Sequence, residues 1–215
     1  MIKAVLFDLD GTLIDTNELI IQSFNYTLKK HLNLEVDRNE LVMHFGEPLL
    51  NTLEYFDKDN AHVLMQTYRG YNEAIHDEVA KEIVGAKETL NELKALGVKV
   101  GIVTSKRRTL AERGLNLFNL LHKMDVIITP EDTTKHKPDG EPVIKACENL
   151  GILPEEALMV GDSHNDILSG KNAGAKTCLV KYTVLPLHKI MEHNPDYAVE
   201  KIEDIIKIVR EVNFR

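Results

Sequence analysis

The chain has 215 residues, 43% of them hydrophobic, with 34 acidic side chains against 26 lysines and arginines and a formal net charge of -8. That length is enough for a full core and that hydrophobic share excludes a disordered chain, while the negative balance works against a nucleic-acid or anionic-membrane partner. Cys147 and Cys178 form no CxxC pair and read as reduced core residues; with no leader-like start and no apolar run near the roughly 20 residues that cross a bilayer, a soluble cytoplasmic protein is expected.

Ala4-Val5-Leu6-Phe7 has the unbroken apolar pattern of a short parallel strand covered on both faces. Asp8-Leu9-Asp10-Gly11-Thr12 follows it directly. From Thr16 to Lys81 the pattern is helical, with no convincing strand. The first helix is predicted to start near Thr16 or Asn17, with Ile20, Phe24 and Leu28 on its apolar stripe, and Phe45-Gly46-Glu47-Pro48 is predicted to be a loop. From Gly85 onward strands and helices alternate. The helix over 86–96 stops at Gly97, and a strand covers 98–103. A helix follows from about Lys106, where Lys106-Arg107-Arg108, the one dense cationic run, reads as a solvated helix start. A strand at 126–128 leads into a loop through Pro138 and Gly140, then a helix over 141–150 stopped by Gly151. A strand at 157–160, a helix near 166–173 stopped by Gly174, a strand at 177–180, a short strand at 196–199 and a C-terminal helix complete the pattern. This alternation predicts an α/β fold, a doubly wound parallel sheet, with a helical subdomain inserted in it. Residues 1–15 and 82–215 are expected to form the core and 16–81 the insertion.

The predicted strands end in polar residues that parallel topology would bring to one edge, where open α/β sheets bind ligands. The first ends in Asp8 and Asp10, the second in Thr104 and Ser105. The third leads to Lys135-His136-Lys137-Pro138, and the fourth ends in Gly161-Asp162 with Asp166 four residues on. Each alone has an ordinary reading: Asp10-Gly11 and Gly161-Asp162 as turns, Thr104 as a helix cap, Lys137 as a surface lysine, Asp166 as a first-turn carboxylate. Together they suggest phosphoryl chemistry. Asp8 and Asp162 crowded at one edge call for a cation, and oxygen ligands suit Mg²⁺. Asp8 is then a candidate nucleophile and Asp10 a candidate acid and base. Thr104 and Ser105 offer hydroxyls, and Lys137 a fixed positive charge, to a phosphoryl group.

These residues resemble the haloacid dehalogenase superfamily, whose four motifs match Asp8-Leu9-Asp10-Gly11-Thr12, Thr104, Lys137-Pro138 and Gly161-Asp162-Ser163-His164-Asn165-Asp166 in order. The resemblance implies Asp8 as nucleophile, Asp10 as acid/base, and Thr104 and Lys137 as phosphate ligands. It further implies Mg²⁺ held by Asp8, the Asp10 carbonyl and Asp162, with Asp166 orienting that site from behind. Residues 16–81 would then be a helical cap, with Gly46 and Glu47 on its substrate loop and Arg69 a candidate for an anionic leaving group; a surface arginine is the alternative reading of Arg69. A narrower resemblance, to PpaX-type inorganic pyrophosphatases, rests on Asn17-Glu18-Leu19-Ile20-Ile21, Tyr68-Arg69, His76-Asp77-Glu78, Val100-Gly101-Ile102-Val103-Thr104 and the run from Pro154 to Asp162. It implies pyrophosphate hydrolysis. Gly140 departs from that pattern, standing where a proline commonly follows Lys-Pro-Asp, which is expected to loosen the loop that carries Lys137.

Phosphoglycolate phosphatases share nearly all of these features, so phosphoglycolate or another small phosphate monoester stays open as substrate. A sugar phosphomutase would use the same chemistry with another acceptor. A phospho-receiver module also gathers acids, a hydroxyl and a lysine around Mg²⁺, but has no use for a water-activating Asp10. The expected partner is a small phosphate, with no nucleic acid or membrane, and the expected working form is a monomer or a weak homodimer.

Overall fold

In the computed structural model, which describes residues 1–214, the four apolar residues of β1 (Ala4–Phe7) are all buried. They are buried because β1 lies mid-sheet, paired in parallel with β4 (Lys99–Val103) on one side and β6 (Ala157–Gly161) on the other. Among the described residues six strands form one parallel sheet, completed by β5 (Val126–Ile128), β7 (Lys176–Val180) and β8 (Tyr197–Val199) in the order β5-β4-β1-β6-β7-β8. The doubly wound α/β expectation holds.

Alternate residues of a strand face opposite sides, and on one side Ala4, Leu6, Val103, Ile128 and Met159 pack with Val143, Ala146, Cys147 and Leu150. The last four belong to α7 (Glu141–Leu150), which contacts α8 (His164–Ala173). Elsewhere α5 (Ala86–Ala95) lies against β4, and α10 (Asp204–Asn213) lies against α5. The helix after β4 starts at Arg108, two residues later than expected (α6, Arg108–Leu117). A short α9 (Leu187–Met191) precedes β8. Both cysteines are buried and unbridged, and burial pushes the thiol of Cys147 up to about 11.

The chain divides into two compact units, one of residues 1–14 and 82–214 and one of Asp15–Lys81. Two-residue strands lie at the crossings, β2 (Ile14–Asp15) and β3 (Lys81–Glu82), and pair with each other; of these positions only Lys81 falls within the stretch read as helical. The second unit is built from α1 (Asn17–Leu32), α2 (Arg38–Val42), α3 (Leu49–Phe56) and α4 (Ala61–Val79). Helices α1 and α4 pack through Phe24 against Tyr68, ring centroids 4.7 Å apart, and through a buried hydrogen bond from Asn72 Nδ2 to Ser23 Oγ at 3.0 Å. Phe24 and Leu28 are buried as the apolar stripe requires, whereas Ile20 is only half-buried and Leu19 and Ile21 take its place. Among the described residues no helix is long and apolar enough to cross a membrane.

Gly140 does the opposite of loosening its loop. A Cβ there would sit 2.7 Å from backbone atoms of Asn172 and Ala173, so the absence of a side chain is what lets the start of α7 close on the end of α8. Asn172 Nδ2 then donates to the Pro138 carbonyl at 2.9 Å and Ser169 Oγ to the Asp139 carbonyl at 2.7 Å, which ties down both residues after Lys137. Gly70, in the middle of α4, is exposed with open space around its Cα. Gly140→Ala is therefore expected to cost about 1–3 kcal/mol through overpacking, and Gly70→Ala to stabilise by roughly 0.5–1 kcal/mol through helix propensity. Denaturant unfolding of both variants checks the opposite signs.

Candidate active site

The hydrogen-bond ladder runs one residue beyond two strands. Asp8 N–H donates to the Val160 carbonyl at 2.9 Å and Thr104 N–H to the Ile128 carbonyl at 3.0 Å, so both residues are fixed at the sheet's carboxyl edge by backbone, before their side chains act. After Asp8 the chain turns sharply, the N–H groups of Thr12, Leu13 and Ile14 all pointing at the Leu9 carbonyl. Gly11 makes that turn at φ +76°, and a Cβ there would fall 2.5 Å from Asp162 Oδ2. A glycine is thus needed twice, for the backbone and for the approach of β6.

Lys137 is the center of the side-chain arrangement. Its Nζ donates to Asp8 Oδ1 at 2.7 Å, to Asp166 Oδ1 at 2.6 Å and to the Val103 carbonyl at 3.1 Å. The other oxygen of Asp166 accepts from Ser163 N–H at 3.0 Å and Ser163 Oγ at 2.7 Å, the capping box of α8. Asp166 therefore serves the helix with one oxygen and Lys137 with the other. Asp162 Oδ2 accepts from Thr183 Oγ1 at 3.2 Å, and Tyr182 Oη donates to the Thr12 carbonyl at 2.8 Å, fastening the segment after β7 to the turn after β1.

Asp8, Asp162 and Asp166 are buried, with carboxylate oxygens within 4.8 Å of one another. Burial first, then repulsion from Asp166 and Asp10, pushes Asp8 up to about 7 although Lys137 opposes it. Asp162 is raised well above the usual carboxylate range, by burial first and then by Asp166 and Asp8. Burial works against the Lys137 ammonium as well, but Asp166 and Asp8 outweigh it and hold its pKa above the ordinary lysine value. Counting Asp10, four carboxylates face two ammoniums, Lys137 and Lys106, a formal excess of two negative charges. Donors of that kind and that charge fit a hard divalent cation.

The sequence-derived candidates divide into two groups. Asp8, Asp10, Thr104, Ser105, Lys137, Asp162 and Asp166 lie in the first unit, and a small polar cavity there is lined by Thr104, Ser105, Thr129, Thr133, His136 and Lys137. Thr104 is buried, while Ser105 is exposed. The Asp10 carboxylate stands apart from the acidic triad, with Oδ1 2.8 Å from Lys106 Nζ. Gly46 and Glu47 lie in the second unit, exposed on the turn between α2 and α3, and Arg69 is half-buried on α4. Sequence reasoning missed Lys106, Tyr182 and Thr183. The reading of Lys106 as solvated is corrected: its side chain is 10% exposed and ion-paired with Asp10, and the one available signal was its position two residues after Thr104. Arg108, by contrast, pairs near the surface with Asp132 and Glu112.

A family model described as haloacid dehalogenase-like hydrolase matches residues 5–180. A Clostridium perfringens protein named "Putative pyrophosphatase PpaX" is 54% identical over 213 residues, 99% of this chain and 100% of that protein. A Bacillus cereus protein named pyrophosphatase PpaX is 43% identical over 212 residues, 99% of this chain and 98% of that one. Among solved structures, "a predicted phosphoglycolate phosphatase" from Haemophilus somnus superposes with a TM-score of 0.87 at 26% identity, covering 97% of this chain and 98% of that one. A sheet that delivers its acids in this order, and relatives that match from end to end, make one conclusion: the chain belongs to the haloacid dehalogenase-like hydrolases.

Proposed function

We propose that this hydrolase is a Mg²⁺-dependent phosphohydrolase that works through an aspartyl phosphate on Asp8 and acts on inorganic pyrophosphate. The observation that carries the chemistry is the buried Asp8–Lys137–Asp166 chain beside Asp162. The names and end-to-end similarity of the PpaX relatives support pyrophosphate as the substrate. The Haemophilus structure supports 2-phosphoglycolate as the second reading.

Asp8 attacks the terminal phosphorus, the bond from phosphorus to the bridging oxygen breaks, and orthophosphate leaves with the bonding pair, its bridging oxygen taking a proton from the Asp10 carboxyl. Thr104 donates to an oxygen of the transferring group, Ser105 is a further candidate donor, and Lys137 supplies a fixed positive charge beside it. Asp10 then takes a proton from water as that water attacks the phosphorus of the acyl phosphate, releasing the second orthophosphate and the Asp8 carboxylate. Pyrophosphate and one water thus become two orthophosphates. Asp8 and Asp162, with the Asp10 carbonyl implied by the family, would hold Mg²⁺, and Asp166 keeps Lys137 and α8 in place behind them. When bound, the ion supplies two positive charges to offset the excess of carboxylates and the charge of the substrate. Gly46, Glu47 and Arg69 are candidate specificity residues of a helical cap formed by residues 16–81.

Asp8→Asn is expected to lower phosphate release by at least about 10³-fold, and Asp10→Asn by about 10²–10⁴-fold. Colorimetric phosphate assays with Mg²⁺ check both, and an active Asp8→Asn variant removes the nucleophile assignment. A second expectation concerns pH. The carboxyl of Asp8 lies at about 7 in the folded chain against 3.8 ordinarily, and Asp162 is shifted the same way. Groups whose folded values are raised favour folding at low pH and lose that contribution as pH rises. The metal-free protein is therefore expected to lose stability between about pH 4 and pH 7. Mg²⁺ at about 100 times its dissociation constant should restore about 2.7 kcal/mol at neutral pH. Thermal melts across pH, with and without Mg²⁺, show whether it does.

A further inference from the structure

The reaction above uses Asp10 without its partner. Lys106 Nζ donates to Asp10 Oδ1 at 2.8 Å, and the Lys106 N–H donates to Thr104 Oγ1 at 3.1 Å. One loop thus ties its lysine both to the candidate acid/base and to a candidate phosphate ligand. An ammonium has three N–H donors. All three acceptors that Lys137 needs are present in Asp8, Asp166 and the Val103 carbonyl. Lys106 is different: among the described residues the acceptor its ammonium meets is Asp10. Unlike Lys137, its ammonium keeps donors beyond the one given to Asp10.

Asp10 serves the oxygen that leaves phosphorus, so a group within hydrogen-bond distance of Asp10 borders the leaving group. A neutral alcohol gains little from an ammonium already paired with a carboxylate. A leaving group with an anion of its own gains a charge-assisted hydrogen bond. We propose that Lys106 is a specificity-determining residue that binds a leaving group carrying its own negative charge, the second phosphate of pyrophosphate or the carboxylate of a phosphorylated hydroxy acid. This rests on the reading of Asp8 as nucleophile with Asp10 facing the leaving group.

The test compares two ligands on Mg²⁺-loaded protein by calorimetry: imidodiphosphate, which places a second phosphate at the leaving position, and orthophosphate, which does not. Lys106→Met, which keeps the stem and removes the charge, should weaken imidodiphosphate by about 10–100-fold. Orthophosphate should weaken far less, so the wild-type gap between the two ligands narrows by about tenfold or more. Lys106→Gln gives the same split by a second substitution, and Lys106→Arg restores most of the gap. Equal losses on both ligands, unchanged imidodiphosphate binding, or a wild type with no gap to lose each overturn the proposal. Values of kcat/KM on pyrophosphate, 2-phosphoglycolate and phenyl phosphate then separate the sources of the anion. The substrate on which Lys106→Met loses most names it, and a loss as large on phenyl phosphate, whose leaving group has no second charge, refutes the assignment. A wild type that splits the two ligands yet hydrolyses none of the three substrates sinks the phosphohydrolase reading and leaves the anion site standing.

Discussion

The ammonium of Lys137, held 2.7 Å from Asp8 and 2.6 Å from Asp166, is the contact on which the rest of the site depends. Asp8, Asp162 and Asp166 are all buried, and three carboxylates that close repel strongly where water cannot screen them. Lys137 answers part of that repulsion and also fixes geometry, since it reaches the nucleophile candidate, the α8 capping box and the end of β4 at once. Removing one partner of such a buried pair typically costs about 3–5 kcal/mol, because the other charge is left without compensation. Even so, the balance stays negative. Burial and mutual repulsion still raise Asp8 and Asp162, an excess of negative charge that a hard divalent cation would offset.

Backbone does most of the positioning. Asp8 and Thr104 are each held by a ladder bond to the neighbouring strand, so they move only if the sheet moves. Asp162 follows β6 directly and is pressed from one side by Gly11 and met on the other by Thr183. Lys137 comes from a loop, and that loop is closed by contacts to α8 that depend on the bare backbone of Gly140. Precision in the site thus rests on strand ends and on one close helix approach.

The strand ends were legible because each is announced locally: an apolar run that stops, then a polar residue. Parallel topology converts that one-dimensional order into proximity, which is why Asp8, Thr104, Lys137 and Asp162 could be grouped from sequence. What sequence withheld is what depends on the reach of a side chain. Lys106 lies in a cationic run whose average is solvated, and only the fold shows that its stem is covered and its ammonium turned to Asp10. Thr183 and Tyr182 carry no local sign of reaching Asp162 and the Thr12 carbonyl, since their partners are 21 and 170 residues away. Gly140 misled for a related reason: a glycine in a loop suggests freedom, but here it marks where another helix comes too close for a side chain.

The two lysines of the site divide its electrostatic work. Lys137 has its donors committed to the protein, so its charge is a fixed part of the frame and is present whichever phosphate arrives. Lys106 is paired with the carboxylate of Asp10, the group proposed to move protons, so a ligand that draws on Lys106 would also alter the company Asp10 keeps. In the proposed reaction the transferring phosphoryl group would meet this same fixed charge on every substrate. On the proposed reaction, discrimination falls to the Lys106–Asp10 pair, where an anionic leaving group and a neutral alcohol would meet different electrostatics.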